Sequence, residues 1–284
     1  MGFKNKKILV IGSSGMIGKE LIEQLKELGA RVEGFDIKEH PGDDITDSKA
    51  LEEGIYENYN IDYVFHLFGI KGNPKMTKEK PVDFMGPMLL GDTNSILLAQ
   101  AYGVKKFLYT SSIAVEHPGT DKYPAWAKLT AETLIEAMRI QHKNATYVKT
   151  EYCIVRPSNV YGRYDNCKTE YPMVVTSLIK QALKEKSLTL YNQGDDVRDF
   201  INAKDVARGM IQAMEEMPEK PANLCSGKGV KILDVAKIIC KELDIPMTLG
   251  EETKPTERVM DVNWDFKPEI SLEEGIKEAI SVQR

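Results

Sequence analysis

The stretch "VIGSSGMIGKEL" (residues 10–21) decides the fold of this 284-residue chain. Three glycines, Gly12, Gly15 and Gly18, stand between a short apolar run and a helical pattern. The first allows a tight turn, the second lets a phosphate approach the backbone, and the third lets helix and strand pack closely. The helix N-terminus adds unpaired N–H groups, so the stretch predicts a dinucleotide pyrophosphate site. The residues predicted to form it are Gly12, Ser14, Gly15, Met16, Ile17 and Gly18.

An acidic residue, Asp36, ends the next apolar run, "RVEGFD" (31–36). Its carboxylate can accept hydrogen bonds from the ribose hydroxyls of the adenosine and would repel a 2′-phosphate. This favours NAD over NADP as the cofactor, although Lys38 could counter the repulsion. Further residues expected near the adenosine are Ile37, Asp44 and Ile45.

Apolar runs alternate with helical patterns along the first half of the chain. Strands are predicted at 6–12, 31–36, 61–69, 105–112 and 146–157, with helices at 16–28, 87–102 and 124–142. This alternation predicts an α/β fold with a doubly wound parallel sheet. The expected domains are a dinucleotide-binding domain at 1–157, to which part of 198–226 returns, and a smaller substrate lobe, mainly 158–284.

Composition excludes several other classes of protein. With a formal net charge of -5, the chain is not expected to bind nucleic acid or acidic membranes through bulk charge. No apolar run approaches the length of a membrane span. The four cysteines lack metal-ligand spacing, so no metal site is expected. They are predicted to be reduced thiols of a cytoplasmic protein.

Motifs spread over almost the whole chain together resemble one family. They are the glycine stretch, "HLFGIKG" (66–72), "TSSIAV" (110–115), a Tyr/Lys helix, "RPSNVYG" (156–162) and "VRDFINAKDVA" (197–207). The chain resembles the extended short-chain dehydrogenase/reductases, the NAD-dependent epimerases and dehydratases of nucleotide sugars. The resemblance implies a Rossmann-type sheet, NAD as cofactor and a nucleotide-diphosphate sugar as substrate.

The resemblance also assigns roles to single residues. Those expected to contact the cofactor are Leu67, Phe68, Gly69, Lys71, Lys128, Pro157 and Ser158. Those expected to contact the substrate are Ser112, Asn159, Tyr191, Arg198 and Arg258. The two arginines would clamp the diphosphate, because a guanidinium fork suits phosphate oxygens.

The Tyr-x-x-x-Lys pair of the family is displaced here. Pro124 stands four residues before Lys128, and the tyrosine, Tyr123, comes one residue earlier. Because proline suits the first helical position, Tyr123 is predicted to be the N-cap, free of helical geometry and able to swing over Lys128 towards Ser112. The predicted catalytic residues are therefore Ser112, Tyr123 and Lys128. The alternatives are another acid, such as Tyr161 or a water, and a protein that has lost catalysis.

Other departures concern the substrate and the interior. The helix pattern Asn-x-x-Gly-Thr of the family appears as Met88-x-x-Gly91-Asp92, so one polar contact is expected to be lost, and Phe68 replaces a small residue. No acid directly follows Ser112, unlike in the dehydratases, and the nearest is Glu116. An epimerase acting through a transient keto-sugar is therefore expected. A nucleotide-sugar dehydrogenase or reductase is the alternative, and a homodimer is expected through the helices at 87–102 and 124–142.

Overall fold

A computed structural model describes residues 2–56, 60–70, 77, 79–116, 119, 122–142, 150–165 and 172–284. Its strands are β1 Lys7–Ile11, β2 Arg31–Phe35, β3 Tyr63–His66, β4 Lys106–Thr110, β5 Glu151–Pro157, β6 Asn159–Tyr161, β7 Leu188–Leu190, β8 Val197–Asn202, β9 Ala222–Leu224, β10 Gly229–Lys231, β11 Met247–Leu249 and β12 Glu257–Arg258. Its α-helices are α1 Met16–Glu27, α2 Ser48–Leu51, α3 Pro81–Ala101, α4 Tyr123–His142, α5 Val174–Glu185, α6 Ala203–Glu216, α7 Ile232–Leu243 and α8 Leu272–Gln283.

The central sheet is the parallel, doubly wound sheet that the sequence predicts. Its strand order is β2-β1-β3-β4-β5-β9, and β1 pairs in parallel with both β2 and β3. The chain therefore moves outward from β1 to β2 and then resumes on the other side of β1. In open α/β sheets this reversal is the switch point at which ligands bind, beyond the carboxyl ends of the strands.

The inner strands of this sheet are buried on both faces, as their continuous apolar runs predict, whereas only Phe35 is buried in the edge strand β2. Ile8, Leu9 and Val10 of β1 have no exposed surface, and neither do Phe107 and Leu108 of β4. One core cluster packs residues of β1, β3, β4 and β5 against residues of α3 and α4. Among the described residues, no helix is both long enough and apolar enough to cross a membrane.

The chain divides into two compact units. The first comprises Met1–Arg156 and Ala207–Ala222, and the second comprises Pro157–Val206 and Asn223–Arg284. In the second unit β8 pairs in parallel with β6 and β12 and antiparallel with β10. Helices α5, α7 and α8 build its core, and Ile179, Ile239 and Ile276 are almost fully buried.

Two helix boundaries differ from those expected. Helix α3 begins at Pro81, six residues before the predicted start, and accommodates Pro87 inside it. Helix α4 begins at Tyr123, so the prediction that Tyr123 is the N-cap is wrong. The carbonyl of Lys122 accepts hydrogen bonds from the amides of Ala125 (2.9 Å) and Trp126 (3.2 Å), which makes Lys122 the cap residue. Proline is tolerated anywhere in a first turn, so Pro124 did not fix the boundary.

Candidate active site

The carboxyl edge of the central sheet brings three predicted segments into register. Ile11 is paired with Phe35 on one side and with His66 on the other. The residues that follow these strand ends, Gly12, Asp36 and Leu67, therefore lie at the same edge. The amide of Gly12 donates to the carbonyl of Phe35 and the amide of Leu67 to that of Ile11, each at 2.9 Å. Predicted cofactor residues from three strands thus converge.

The loop between β1 and α1 has no room for side chains at its glycines. Gly12 has φ +84°, a conformation that favours glycine. A Cβ on Gly18 would lie 2.4 Å from the carbonyl oxygen of Gly12 and 2.7 Å from that of Ser13. Both obstacles are backbone atoms, so α1 can pack this close to the loop only with glycine at position 18.

The N-terminus of α1 is suited to an anion. Its N-cap, Gly15, supplies no side-chain hydrogen bond, and the first turn contains no acidic residue. The hydroxyl oxygen of Ser14 is buried without a hydrogen-bond partner among the described residues. A buried hydroxyl normally has a partner. An orphaned hydroxyl beside unpaired amides fits the pyrophosphate of a dinucleotide, so these residues fit that cofactor.

Asp36 is tied to the glycine loop. The amide of Ser14 donates to Oδ2 of Asp36 at 3.1 Å, and the amide of Lys38 donates to Oδ1 at 2.9 Å. A second acid lies nearby, because Oγ of Ser13 donates to Oε2 of Glu39 at 2.6 Å. Two carboxylates at the end of β2 make this edge unfavourable for the 2′-phosphate of NADP.

The other predicted adenosine residues lie in the loop that follows β2. Ile37 is exposed, whereas Ile45 is buried in the core. Oδ1 of Asp44 accepts hydrogen bonds from the amide and the hydroxyl of Thr46, at 2.9 and 2.8 Å. Nδ2 of Asn94 fixes the same loop by donating to the carbonyls of Ile45 and Thr46, each at 3.1 Å.

Lys128 lies against the loop that follows β3. Its ammonium donates a 2.7 Å hydrogen bond to the carbonyl of Phe68, and its Cε lies 4.0 Å from where a Cβ on Gly69 would be. The ring of Phe68 fits beside Gly91, where a Cβ would lie 3.0 Å from it. The larger residue at 68 is thus accommodated by a glycine on α3. Lys71 lies outside the described residues.

A buried polar cluster beneath Lys128 was not predicted as part of the site. Oδ1 of Asp92 is 2.7 Å from Nε2 of His66 and 3.9 Å from the ammonium of Lys128, and Oδ2 accepts a 2.6 Å hydrogen bond from Tyr109. The expected loss of a polar contact concerns Met88, which is buried as an apolar residue and stands in place of the asparagine, whereas Asp92 has three polar neighbours. The sequence held a signal, because Asp92 lies four residues after Met88 and eight after Phe84 on the apolar face of α3.

Ser112 and Tyr123 flank the short segment between β4 and α4. Oγ of Ser112 accepts a 3.2 Å hydrogen bond from the amide of Ala114 and caps the 3-10 turn Ile113–Val115. A hydroxyl that accepts one bond keeps its own proton to donate. Tyr123 is half-buried in the first turn of α4. Five residues of regular helix separate it from Lys128, which corresponds to about 140° around the axis.

The alternative acid, Tyr161, is a core residue of the second unit. It is 2% exposed, its ring packs against Phe200, and its hydroxyl donates to the carbonyl of Ser271 at 3.4 Å. Burial raises the pKa of the Tyr161 phenol. These contacts are those of a structural tyrosine.

The predicted substrate residues of the second unit lie on and around β8. Arg198 and Arg258 are paired residues of β8 and β12. The Arg198 guanidinium donates to the carbonyl and the hydroxyl of Thr256, each at 2.8 Å, and lies 3.7 Å from Asp196. Tyr191 is 88% exposed. The two arginines therefore form one cationic strip.

Two other predicted residues of this unit bind Asp199 of β8. Nδ2 of Asn159 donates to the carbonyl of Asp199 at 2.9 Å, and Oγ of Ser158 donates to its carboxylate at 3.2 Å. The same carboxylate accepts the amides of Ser226 and Gly227, each at 2.9 Å. Pro157, the last residue of β5, immediately precedes this group of hydrogen-bonded residues.

Comparison with known proteins identifies relatives along nearly the whole chain. GDP-L-fucose synthase 1 of Arabidopsis thaliana is 25% identical over 98% of this chain and 93% of its own length. UDP-glucuronate 4-epimerase of Thermodesulfobacterium geofontis is 26% identical over 84% of this chain and 77% of its own length.

Solved structures share the fold. The UDP-glucose 4-epimerase of Thermotoga maritima, solved with UDP-glucose, has a TM-score of 0.84 at 22% identity and covers 97% of this chain and 98% of its own. The NAD complex of the Thermus thermophilus UDP-glucose 4-epimerase has a TM-score of 0.81 at 21% identity, over 97% of this chain and 98% of its own.

The match to a protein family covers residues 8–225, which include the glycine loop, Asp36, Lys128 and the pairing of Asn159 with β8. This confirms the resemblance drawn from the sequence motifs. The chain belongs to the NAD dependent epimerase/dehydratase family.

Proposed function

We propose that this protein is an NAD-dependent nucleotide-sugar epimerase that acts through a transient keto-sugar. Relatives named as 4-epimerases of UDP-glucose and UDP-glucuronate support this proposal. The observation that carries it is the buried Lys128, held at 2.7 Å from the carbonyl of Phe68 in the unit that contains the glycine loop. A buried ammonium is costly, so its presence favours a retained catalytic role.

Different groups of the described residues would bind different parts of the cofactor. The glycine loop and the N-terminus of α1 would hold the pyrophosphate, with the hydroxyl of Ser14 among the donors. Asp36 would accept the adenosine ribose hydroxyls, and Lys128 would donate to the other ribose. Bound NAD supplies reversible removal of a hydride from a sugar carbon. Leu67, Phe68, Gly69, Pro157 and Ser158 would border the nicotinamide side.

Side chains of the protein, and not the cofactor, would transfer the proton of the sugar hydroxyl. We assign Tyr123 as the acid–base and Ser112 as the residue that hydrogen-bonds the same oxygen. Because Tyr123 lies inside the first turn of α4, it lacks the conformational freedom expected of an N-cap residue, and a regular helix directs it about 140° away from Lys128. A water in place of the phenol is therefore the principal alternative, and a protein without turnover is the other.

A nucleoside diphosphate sugar is the substrate class that suits the second unit. Arg198 and Arg258 are cross-strand neighbours, and paired guanidinium groups match the oxygens of a diphosphate. A reductase or dehydrogenase for such sugars is the second candidate function. Relatives named GDP-L-fucose synthase show that proteins similar to this chain are not all named epimerases, whereas Asp36 and Glu39 disfavour a 2′-phosphorylated cofactor.

Isotope exchange distinguishes these functions. The protein is incubated with NAD or NADH and a panel of UDP- and GDP-sugars, including sugars deuterated at C4, and the products are analysed by mass spectrometry and NMR. An epimerase inverts one carbon and retains the sugar deuterium without net reduction of NAD. A dehydrogenase accumulates NADH from NAD, a reductase consumes NADH, and a binding protein changes nothing.

A homodimer and a cytoplasmic location are also proposed. Helix α3 keeps Leu90 and Leu97 exposed, seven residues apart on one face, and it packs against α4 within the same unit. A second copy would cover these leucines. The free thiols Cys153 and Cys240 suit a reducing compartment. Light scattering of wild type and Leu97→Glu would test the dimer, which the charge should dissociate.

A further inference from the structure

Asp92 is the acidic residue at the centre of the cluster beneath Lys128. It is 1% exposed and projects from the middle of α3, a helix that is apolar on nearly all sides. His66 ends β3, Tyr109 lies on β4, and Lys128 lies on α4. Three other elements of the first unit therefore place polar groups around one buried carboxylate. An acid is costly at such a position unless charge and hydrogen bonds compensate for its burial.

Within this cluster the positive charge of Lys128 is balanced by the negative charge of Asp92. The ammonium of Lys128 is 3.9 Å from Oδ1 of Asp92 and 4.7 Å from the ring centroid of Tyr109, at the distance of a cation–π contact. Burial is the largest influence on the Lys128 pKa and lowers it, whereas Asp92 and Glu132 oppose that shift. The pKa of Asp92 itself is lowered, because Lys128 and the hydrogen bonds from His66 and Tyr109 overcome its burial.

The hydrogen bonds also fix where the carboxylate can lie. The ring of His66 stacks on that of Tyr109 at 5.5 Å and 16°, so both donors are rigid. His66 is fully buried and Tyr109 has no exposed surface. Two rigid donors thus fix both oxygens of the carboxylate, with His66 at Oδ1 and Tyr109 at Oδ2. The ammonium of Lys128 lies near the same Oδ1 and donates to the carbonyl of Phe68.

We propose that Asp92 is a positioning residue for Lys128, which it keeps protonated and directed at the loop that follows β3. This inference deepens the proposed function, because it concerns the lysine assigned to the nicotinamide ribose. Burial lowers the pKa of Lys128, and without a counter-charge a lysine buried to this extent would be neutral at physiological pH. Asp92 is thus the feature that lets this lysine act as a cation.

The titratable groups facing Lys128 come from every element around it. They are His66 of β3, Asp92 of α3, Tyr109 of β4 and, one turn along α4, Glu132. Glu132 is already paired with Arg156 through hydrogen bonds of 3.0 and 2.6 Å. Its charge is therefore largely balanced by another residue, and Asp92 remains the principal counter-charge of Lys128.

The test measures the titration of Lys128 directly. The full chain is labelled with ¹³Cε-lysine, its ¹H–¹³C spectra are recorded from pH 6 to 11, and the Lys128 resonance is assigned with Lys128→Met. In wild type we expect Lys128 to be protonated at physiological pH, because Asp92 opposes the effect of its burial on the pKa. In Asp92→Asn the midpoint should fall by more than about one pH unit, because the counter-charge is gone. Tyr109→Phe is the matched control, since it keeps the aromatic ring at position 109 and the negative charge of Asp92. In this variant the titration midpoint of Lys128 should stay near that of wild type.

Several outcomes would overturn the proposal. Equal midpoints in wild type and Asp92→Asn would do so, as would a wild-type Lys128 that is neutral at physiological pH. If Asp92→Asn does not fold, Asp92→Thr is used in its place. If neither variant folds, the titration of Lys128 in wild type alone tests the proposal. In a separate arm, NAD binding is measured by calorimetry at pH 7 and 9. Asp92→Asn should lose affinity by about tenfold per pH unit above the new midpoint. Failure of NAD to bind would refute the proposed function and leave the NMR result intact.

Discussion

The backbone amide of Ser14 donates a 3.1 Å hydrogen bond to Oδ2 of Asp36, which joins the glycine loop to the end of β2. Oδ1 is held by the amide of Lys38 at 2.9 Å. The carboxylate is therefore fixed by two backbone donors, and its position does not depend on a flexible rotamer. A fixed acceptor at this edge reduces the ordering cost of binding a ribose.

Replacing this acceptor should change cofactor preference. Asp36→Ala should weaken NAD binding by about 1.5–3 kcal/mol, the scale of a lost hydrogen bond to a charged group. NADP binding should improve, because one carboxylate no longer repels the 2′-phosphate. Calorimetric titration of both cofactors measures the change. Glu39→Gln should shift the preference in the same direction without weakening NAD. NADP binding to wild type as tightly as NAD would contradict the role given to Asp36.

The glycine loop makes a separate prediction about geometry. Gly18→Ala should destabilise the protein and abolish tight NAD binding, because its Cβ would lie 2.4 Å from a backbone oxygen. Gly15→Ala has more room, at 3.2 Å, and should impair binding more than stability. Thermal unfolding with and without NAD measures both effects. Gly42→Ala is the control, since no atom of the described residues beyond its chain neighbours lies within 4 Å of a Cβ added there. A wild-type response to NAD in Gly18→Ala would refute the assignment of the loop.

The central sheet and the glycine loop could be predicted from the sequence because both depend on local signals. Parallel strands buried on both faces appear as continuous apolar runs, and positions that exclude a side chain require glycine. The start of α4 could not be predicted from Pro124, because any position in a first turn accepts proline. The role of Asp92 depends on partners 26, 17 and 36 residues away, at His66, Tyr109 and Lys128, which only the fold brings together.

The same cluster predicts a pH dependence of stability. Burial lowers the pKa of His66 below its usual 6.5. Below that pH the unfolded chain binds a proton that the folded chain does not, so stability falls as pH decreases from about 6.5 towards the folded pKa, by up to about 1.4 kcal/mol per pH unit. Denaturant unfolding between pH 7.5 and 5.5 should show a flatter profile for His66→Asn than for wild type. His40→Asn, at an exposed position, controls for loss of a histidine. Parallel profiles for wild type and His66→Asn would contradict the prediction.

The cationic strip of the second unit should bind nucleoside diphosphates. Arg198→Ala or Arg258→Ala should weaken binding of UDP or GDP by about 2–5 kcal/mol, because a charge-assisted contact is lost. The double variant should lose less than the sum, since the two residues are paired across β8 and β12. NAD affinity should hardly change. Lys254→Ala, an exposed cation near Thr256, is the control. Loss of NAD binding with intact UDP binding would mean that the two pockets are assigned in reverse.

The displaced tyrosine makes the sharpest prediction about catalysis. If Tyr123 transfers the proton, Tyr123→Phe should lower turnover by about 10²–10⁴-fold, the usual contribution of a general acid–base. NAD affinity should be retained, because the phenol is assigned to the substrate and not to the cofactor. The measurement is the rate of epimerisation of whichever sugar nucleotide shows isotope retention, together with calorimetric NAD binding. Lys128→Met should lower turnover similarly and should also weaken NAD.

Two comparisons separate Tyr123 from its alternatives. Tyr161→Phe should leave turnover nearly unchanged, since its hydroxyl is hydrogen-bonded to the carbonyl of Ser271 inside the core of the second unit. If a water transfers the proton instead, Tyr123→Phe will be nearly as active as wild type, whereas Lys128→Met will remain impaired. That result would remove Tyr123 from the mechanism. It would also make Lys128, with Asp92 beside it at 3.9 Å, the group that orders the water.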